Sequence, residues 1–274
     1  MSMSSAHPLR DIERIDGPPG PYLEAIGTVF ATFGAPTQDS GNVSYGVQIG
    51  DERFFVKTTD PGAEVFSDHA ARVALLYNAA RLRRSCDHPT LPVLHCIVET
   101  AHGPALVYDW VDGECLHGGR DDPQSAHQRF RRLPTDAIFA VLDAIYDLHV
   151  QLVQRGWIAV DFYDGCLMYD FERQAAHIVD LDMYHLGAFT NQMGRMFGST
   201  RFMAPEEFER GALIDERTTV FTMGRAAFVC LGDDIGGAMG EVMRCACRPE
   251  RTARYGSMEE FHAAWQQARR LGHR

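Results

Sequence analysis

The sequence predicts an α+β chain in which a small β-rich half precedes a larger α-rich half. Three patterns carry that reading. Strand-like segments in two pairs, "YGVQIGDERFFVKT" and then "VLHCIVE" with "ALVYDWV", fill the first half. A long amphipathic run follows residue 134, with Ile138, Val141, Leu142, Ile145, Leu148 and Leu152 on one stripe. Residues 218 to 270 read as helix almost throughout. The boundary between the halves is expected near residues 111 to 120.

In chain order, residues 1 to 20, "MSMSSAHPLRDIERIDGPPG", read as a flexible tail with no apolar segment of the kind found in a signal peptide. Pro21 can open a helix, and Leu23, Ile26, Val29, Phe30 and Phe33 recur at helical spacing until Gly34 closes the run. That gives the first lobe, 21 to 111, an extra N-terminal helix. The first strand pair turns at a Gly-Asp dipeptide, and a helix is expected from about Pro61 to Arg84. The polar stretch 117 to 134 reads as a connector or exposed excursion. Thr135 can cap the amphipathic helix, and Gly156 suits its end. "HIVDLDMY" is the last clear extended element, and 112 to 274 forms the second lobe.

Composition limits the functions available. With 45% apolar and 23% charged residues over 274 positions, the chain can bury a core of ordinary globular size. A net charge of −11 argues against non-specific nucleic-acid binding, which needs a basic surface. Seven cysteines without framework spacing suggest reduced thiols and a cytoplasmic location. Cys245 and Cys247 lack a second ligand pair and read as core packing. No uninterrupted apolar run reaches membrane length, so no membrane partner is expected.

Three later segments are more specific: "GSTRFMAPEEF" at 198 to 208, "TTVFTMGRAAFVCLG", and "RPERTARYGSMEEF". Their order and spacing resemble the protein-kinase-like superfamily, over roughly residues 36 to 265. Ala204, Pro205 and Glu206 match the end of a kinase activation segment, and Arg254 falls where the arginine that pairs with that glutamate is found. Thr219 stands where the family has an aspartate. The resemblance implies a bilobal fold and an ATP-dependent phosphotransferase with a hydroxyl acceptor. The type it most resembles is a bacterial Ser/Thr protein kinase with a divergent catalytic loop. It also implies ATP with Mg²⁺, or Mn²⁺, as cofactors.

The same resemblance assigns candidate site residues. Lys57 would hold the α- and β-phosphates. The loop "SGNVSYGV", with Gly41, Ser44 and Gly46, would lie over the phosphates, and backbone groups from Asp109 to Val111 would bond adenine. In "WIAVDFYDGCLMYD", Asp161 would orient the acceptor hydroxyl, and Ser199 would contact that aspartate. Asp180 would bind Mg²⁺, with Asp182 on the same side of an extended segment and needing a cation beside it. Asp164 is either a further metal ligand or simply half of an Asp-Gly turn.

The departures are equally specific. Ala159 and Val160 replace the expected histidine and arginine, Tyr163 replaces a lysine, and Cys166 replaces a metal-binding asparagine. A soft thiol is a poor Mg²⁺ ligand. The acidic partner of Lys57 could be Glu64, Asp68 or neither. Three functions therefore compete: a Ser/Thr-type protein kinase, a kinase for a metabolite or antibiotic, and a pseudokinase that binds a nucleotide or a partner. Without the arginine beside Asp161, activity is expected not to depend on activation-segment phosphorylation.

Overall fold

The computed structural model describes residues 6–34, 41–62, 68–119 and 121–272. The chain divides into two units: the first spans the residues up to Ser85 and Pro92–Val111, and the second Cys86–Leu91 and Asp112–Arg274.

The first unit is built on a six-stranded sheet. Its elements are β1 (Arg14–Ile15), α1 (Pro19–Ile26), β2 (Thr28–Phe33), β3 (Asn42–Ile49), β4 (Glu52–Thr59), α2 (His69–Ser85), β5 (Leu94–Thr100) and β6 (Gly103–Asp109). Strand order is β1-β5-β6-β4-β3-β2, with β1 alone pairing parallel. Two expectations fail here. The helix expected from Pro21 to Phe33 ends at Ile26, and residues 28 to 33 pair antiparallel with β3. Val29, Phe30 and Phe33 fit a helical stripe as well as a strand, but "TVFATF" is rich in β-branched and aromatic side chains and has a strand beside it to pair with.

The expected tail is also ordered where described. Leu9 and Ile15 are buried with Leu23, Val47, Phe54, Val56, Val98 and Val107 in one core. Tyr22 donates from its hydroxyl to Pro8 O at 2.6 Å. These buried apolar side chains each contribute on the order of 1.5–3 kcal/mol. Helix α2 starts at His69, capped by Asp68, whose Oδ1 accepts the Ala71 N–H at 2.7 Å. Its Leu76, Ala79 and Ala80 pack on Leu106 of β6.

The second unit is mostly helical. It contains β7 (Glu114–Cys115), α3 (Ala126–Arg131), α4 (Thr135–Gln154), β8 (Trp157–Ile158), β9 (Leu167–Asp170), β10 (Ala175–Ile178), β11 (His185–Leu186), β12 (Phe189–Thr190), β13 (Leu213–Ile214), α5 (Glu216–Leu231), α6 (Gly237–Ala246) and α7 (Met258–Gly272). The apolar stripe of α4 is buried along its whole length, as its spacing requires. The cap position is Pro134 and not Thr135. In the stretch expected as a connector, Ser125 accepts the Gln128 N–H and starts α3, and Phe130 is buried edge-on against Tyr169. Tyr146, Phe261 and Trp265 form an edge-to-face cluster, with centroids 4.9 and 5.0 Å from Tyr146. No helix among the described residues is long and apolar enough to cross a membrane.

Candidate active site

The second unit brings Asp161 and Asp180 together through their backbones. Both have left-handed backbones, with φ of 59° and 60°. That conformation costs a non-glycine residue on the order of 1–2 kcal/mol, and such strain collects at functional positions. The buried Cys166 lies between them. Its Sγ is 3.6 Å from Asp161 O and 3.8 Å from Asp180 O, and its own carbonyl accepts the Val179 N–H at 2.9 Å. Burial first, and then the charge of Asp180, push the thiol well above its ordinary pKa. It therefore stays protonated and is a hydrogen-bond donor, not a thiolate ligand.

Because Asp180 has a left-handed backbone, residues 180 to 182 are not an extended run, and the expected alternation of Asp180 with Asp182 does not hold. Asp182 is buried. Among the described residues, no group of three or more His, Cys, Asp or Glu side chains is arranged to hold a metal ion.

Asp164 is not placed as a metal ligand. It is buried, and both its carboxylate oxygens lie 2.7 Å from Nη2 of Arg201. His117 Nδ1 is 3.0 Å from Oδ1, and His127 Nδ1 is 3.9 Å from Oδ2. In this structure the carboxylate is held in an ion pair. Next to it, Gly165 has no room for a side chain, since a Cβ there would fall 2.3 Å from the Tyr163 ring. Burial and the nearby acidic groups raise the Tyr163 phenol, which stays protonated.

The segment 198 to 208 is anchored against this loop. Thr219 of α5 accepts the Ala159 N–H at 3.0 Å through its hydroxyl. Glu206 and Arg254 form a buried two-point pair at 2.7 and 2.9 Å, as expected, and Thr218 donates to Glu206 at 2.8 Å. Ser199 enters through its backbone: its carbonyl accepts the N–H groups of Phe202 and Met203. Gly198, with φ of 133°, lies against Asp161, and a Cβ there would be 3.4 Å from Asp161 Oδ1.

Sequence reasoning missed two buried titratable groups. Glu207 accepts the Ala204 N–H at 2.6 Å, and burial raises its carboxyl to about 8, partly opposed by that bond. His149 lies 2.7 Å from both Ile145 O and Tyr184 Oη. The carbonyl can only accept, so Nδ1 carries the proton and Nε2 accepts from Tyr184. Burial lowers His149 to about 4, so it stays neutral. Both groups depend on neighbours remote in sequence, and no local pattern announces them.

In the first unit, Lys57 is buried in β4, opposite Ser44 of β3 and Leu106 of β6. Ser44 and Gly46 do not lie in a loop, because β3 runs through both. Between β2 and β3, residues 35 to 40 lie outside the described residues. Gly41, with φ of 72°, immediately precedes β3. Gly46 is mid-strand, where a Cβ would meet the Phe30 and Trp110 rings at 2.6 and 2.8 Å. Its lack of a side chain serves packing. The buried Ser44 hydroxyl has no hydrogen-bond partner among the described residues. Asp109 ends β6, donating its N–H to Val93 O and accepting at its carboxylate from His95 Nε2; Val111 follows two residues on. Asp68 serves as the cap of α2, and Glu64 lies outside the described residues.

This architecture, a β-rich first region and a helical second one, is the protein-kinase-like fold. The kinase PK-1 of Cydia pomonella granulovirus has a structure similar over 88% of this chain and 95% of that one, with a TM-score of 0.67 and 15% sequence identity. No family model and no curated protein matches the sequence.

Proposed function

We propose that the chain is an ATP-dependent phosphotransferase of Ser/Thr protein-kinase type, acting on a hydroxyl acceptor in the cytoplasm. The observation that carries this reading is the crossing at Cys166, where two strained aspartates share one buried thiol. Strain of that kind persists when a site needs its carboxylates in one place.

In this reading Asp161 orients the acceptor hydroxyl and takes its proton as the oxygen bonds to the γ-phosphorus; the bond to the departing ADP oxygen then breaks. Lys57 holds the α- and β-phosphates. Backbone groups from Asp109 to Val111 bond adenine, and Gly41 contributes its backbone to the phosphates. Asp180 would supply a hard oxygen ligand to one Mg²⁺, with Asp182 beside it in sequence. It does not fit a second ion at position 166, because the thiol is soft and protonated. Ser199 supports the turn next to Asp161.

The test is transfer of labelled phosphate from ATP with Mg²⁺ and with Mn²⁺. Asp161→Asn should lower transfer by about 100-fold or more, the range expected for loss of a positioned acid–base group. Label on protein supports the reading, whereas label only on added small molecules favours a metabolite or antibiotic kinase. Nucleotide binding without transfer in either metal favours a binding module, the second reading that Cys166 supports.

A further inference from the structure

The turn beside Asp161 is edged by cations in a chain whose net charge is −11. Arg195 reaches its backbone, donating to Met196 O at 3.3 Å and Gly198 O at 3.4 Å. Arg225 donates to Arg201 O at 2.7 Å. Arg201 is held by Asp164, and the pair is asymmetric toward solvent: the Asp164 side chain is 2% exposed, while those of Arg201 and His117 are 19% and 51% exposed. Both carboxylate oxygens share the single Nη2, so Nε and Nη1 of Arg201 are not used on Asp164. Solvent therefore meets the Arg201 guanidinium and the His117 ring, with the balancing anion hidden beneath. The buried ion pair also fixes the guanidinium, which lowers the entropy cost of using it to bind an anion.

We propose that this turn selects acceptors whose hydroxyl is flanked by anionic groups, with Arg201 and Arg195 as the specificity-determining residues and His117 assisting. The proposal rests on the reading of Asp161 as the group that orients the acceptor, because Gly198, which Arg195 contacts, lies against that carboxylate. The recognised chemistry is a carboxylate or phosphate next to an alcohol, on an acidic peptide or on a small phosphorylated polyol.

The test measures binding by the full chain without nucleotide, using three probes: a serine peptide flanked by glutamates, the same peptide flanked by lysines, and glycerol phosphate. The glutamate-flanked peptide should bind about 10-fold more tightly than the lysine-flanked one, and added salt should weaken it. Arg195→Ala should weaken that binding by about 5-fold; among the described residues this side chain bonds only to backbone carbonyls, so folding should survive. The double variant Asp164→Asn with Arg201→Gln should do the same, and it leaves no buried carboxylate unpaired. Glycerol phosphate binding that depends on the same arginines, with no preference between peptides, supports the proposal with a small molecule as the source. Equal affinity for both peptides without such phosphate binding, no binding of any probe, or variants that bind like the parent would overturn it. Phosphate transfer is scored separately. Acidic binding without transfer to any acceptor would remove the phosphotransferase reading and leave the anion site standing.

Discussion

Two regions of the second unit hold acidic groups in opposite ways. At Glu206, the carboxylate receives a two-point bond from Arg254, whose other donors reach Arg248 O, Arg217 O and Pro249 O. Every N–H of that buried guanidinium is used. At Asp161 and Asp180, the backbone is strained and the link between them is one thiol proton shared over 3.6 and 3.8 Å. The first arrangement ties a carboxylate into the fold, and the second ties the backbones of two aspartates to one thiol. Strong charge-assisted bonds supply the anchor from which a strained, weakly linked loop is held.

The largest expected effect tests the anchor. Arg254→Met removes the two-point partner of buried Glu206, leaving Thr218 and, at 3.7 Å, Arg251, and a broken buried pair costs up to about 3–5 kcal/mol. Urea unfolding at neutral pH measures it; a loss under 1 kcal/mol would mean that the two regions do not differ as described. Glu207→Gln probes the same anchor through pH. The folded carboxyl keeps its proton up to about 8, whereas an unfolded glutamate loses it near 4.5. The native state then binds more protons in that window, so its stabilising contribution is complete below 4.5 and falls as pH rises toward 8. Glutamine does not titrate, so the variant should gain on the parent from pH 5 to 8, with a slope no steeper than about 1.4 kcal/mol per pH unit. Parallel stability profiles would contradict the buried protonated acid.

Thr219→Val tests the link from anchor to loop. It leaves the buried Ala159 N–H without its acceptor, at a cost of about 1–3 kcal/mol, and should lower phosphate transfer. Thr219→Ser should restore both; failure of serine would point to the methyl group and packing. The smallest effect concerns the loop. Asp161→Gly relieves a left-handed backbone and should raise stability by about 1 kcal/mol, less the added chain entropy, while abolishing transfer. A clear loss of stability would show that Asp161 is not strained against the fold.

The two units also differed in how well they could be read from sequence. The α4 stripe, the helical C-terminal region and the Glu206–Arg254 pair were legible, because each rests on local periodicity or on motif order. The first unit misled at β2, where Val29, Phe30 and Phe33 fit two periods and the pairing with β3 decided between them. Ser44 and Gly46 looked like loop residues until β3 ran through them. The buried segment around Leu9 offers no strong local signal, and its polar neighbours suggested a tail.

The sequence by itself determined the class of fold, the helical stripe of α4 and the identities of Asp161, Asp180 and Lys57 as candidates, since these depend on spacing along one chain. Tertiary structure alone decided what each acidic group does. Asp164 meets Arg201, 37 residues away, and becomes half of an ion pair. Cys166 meets Asp180 O, 14 residues on, and becomes a neutral donor instead of a failed ligand. The physical reason is that burial and charge partners set the state of an ionisable group, and both are properties of neighbours brought together by folding.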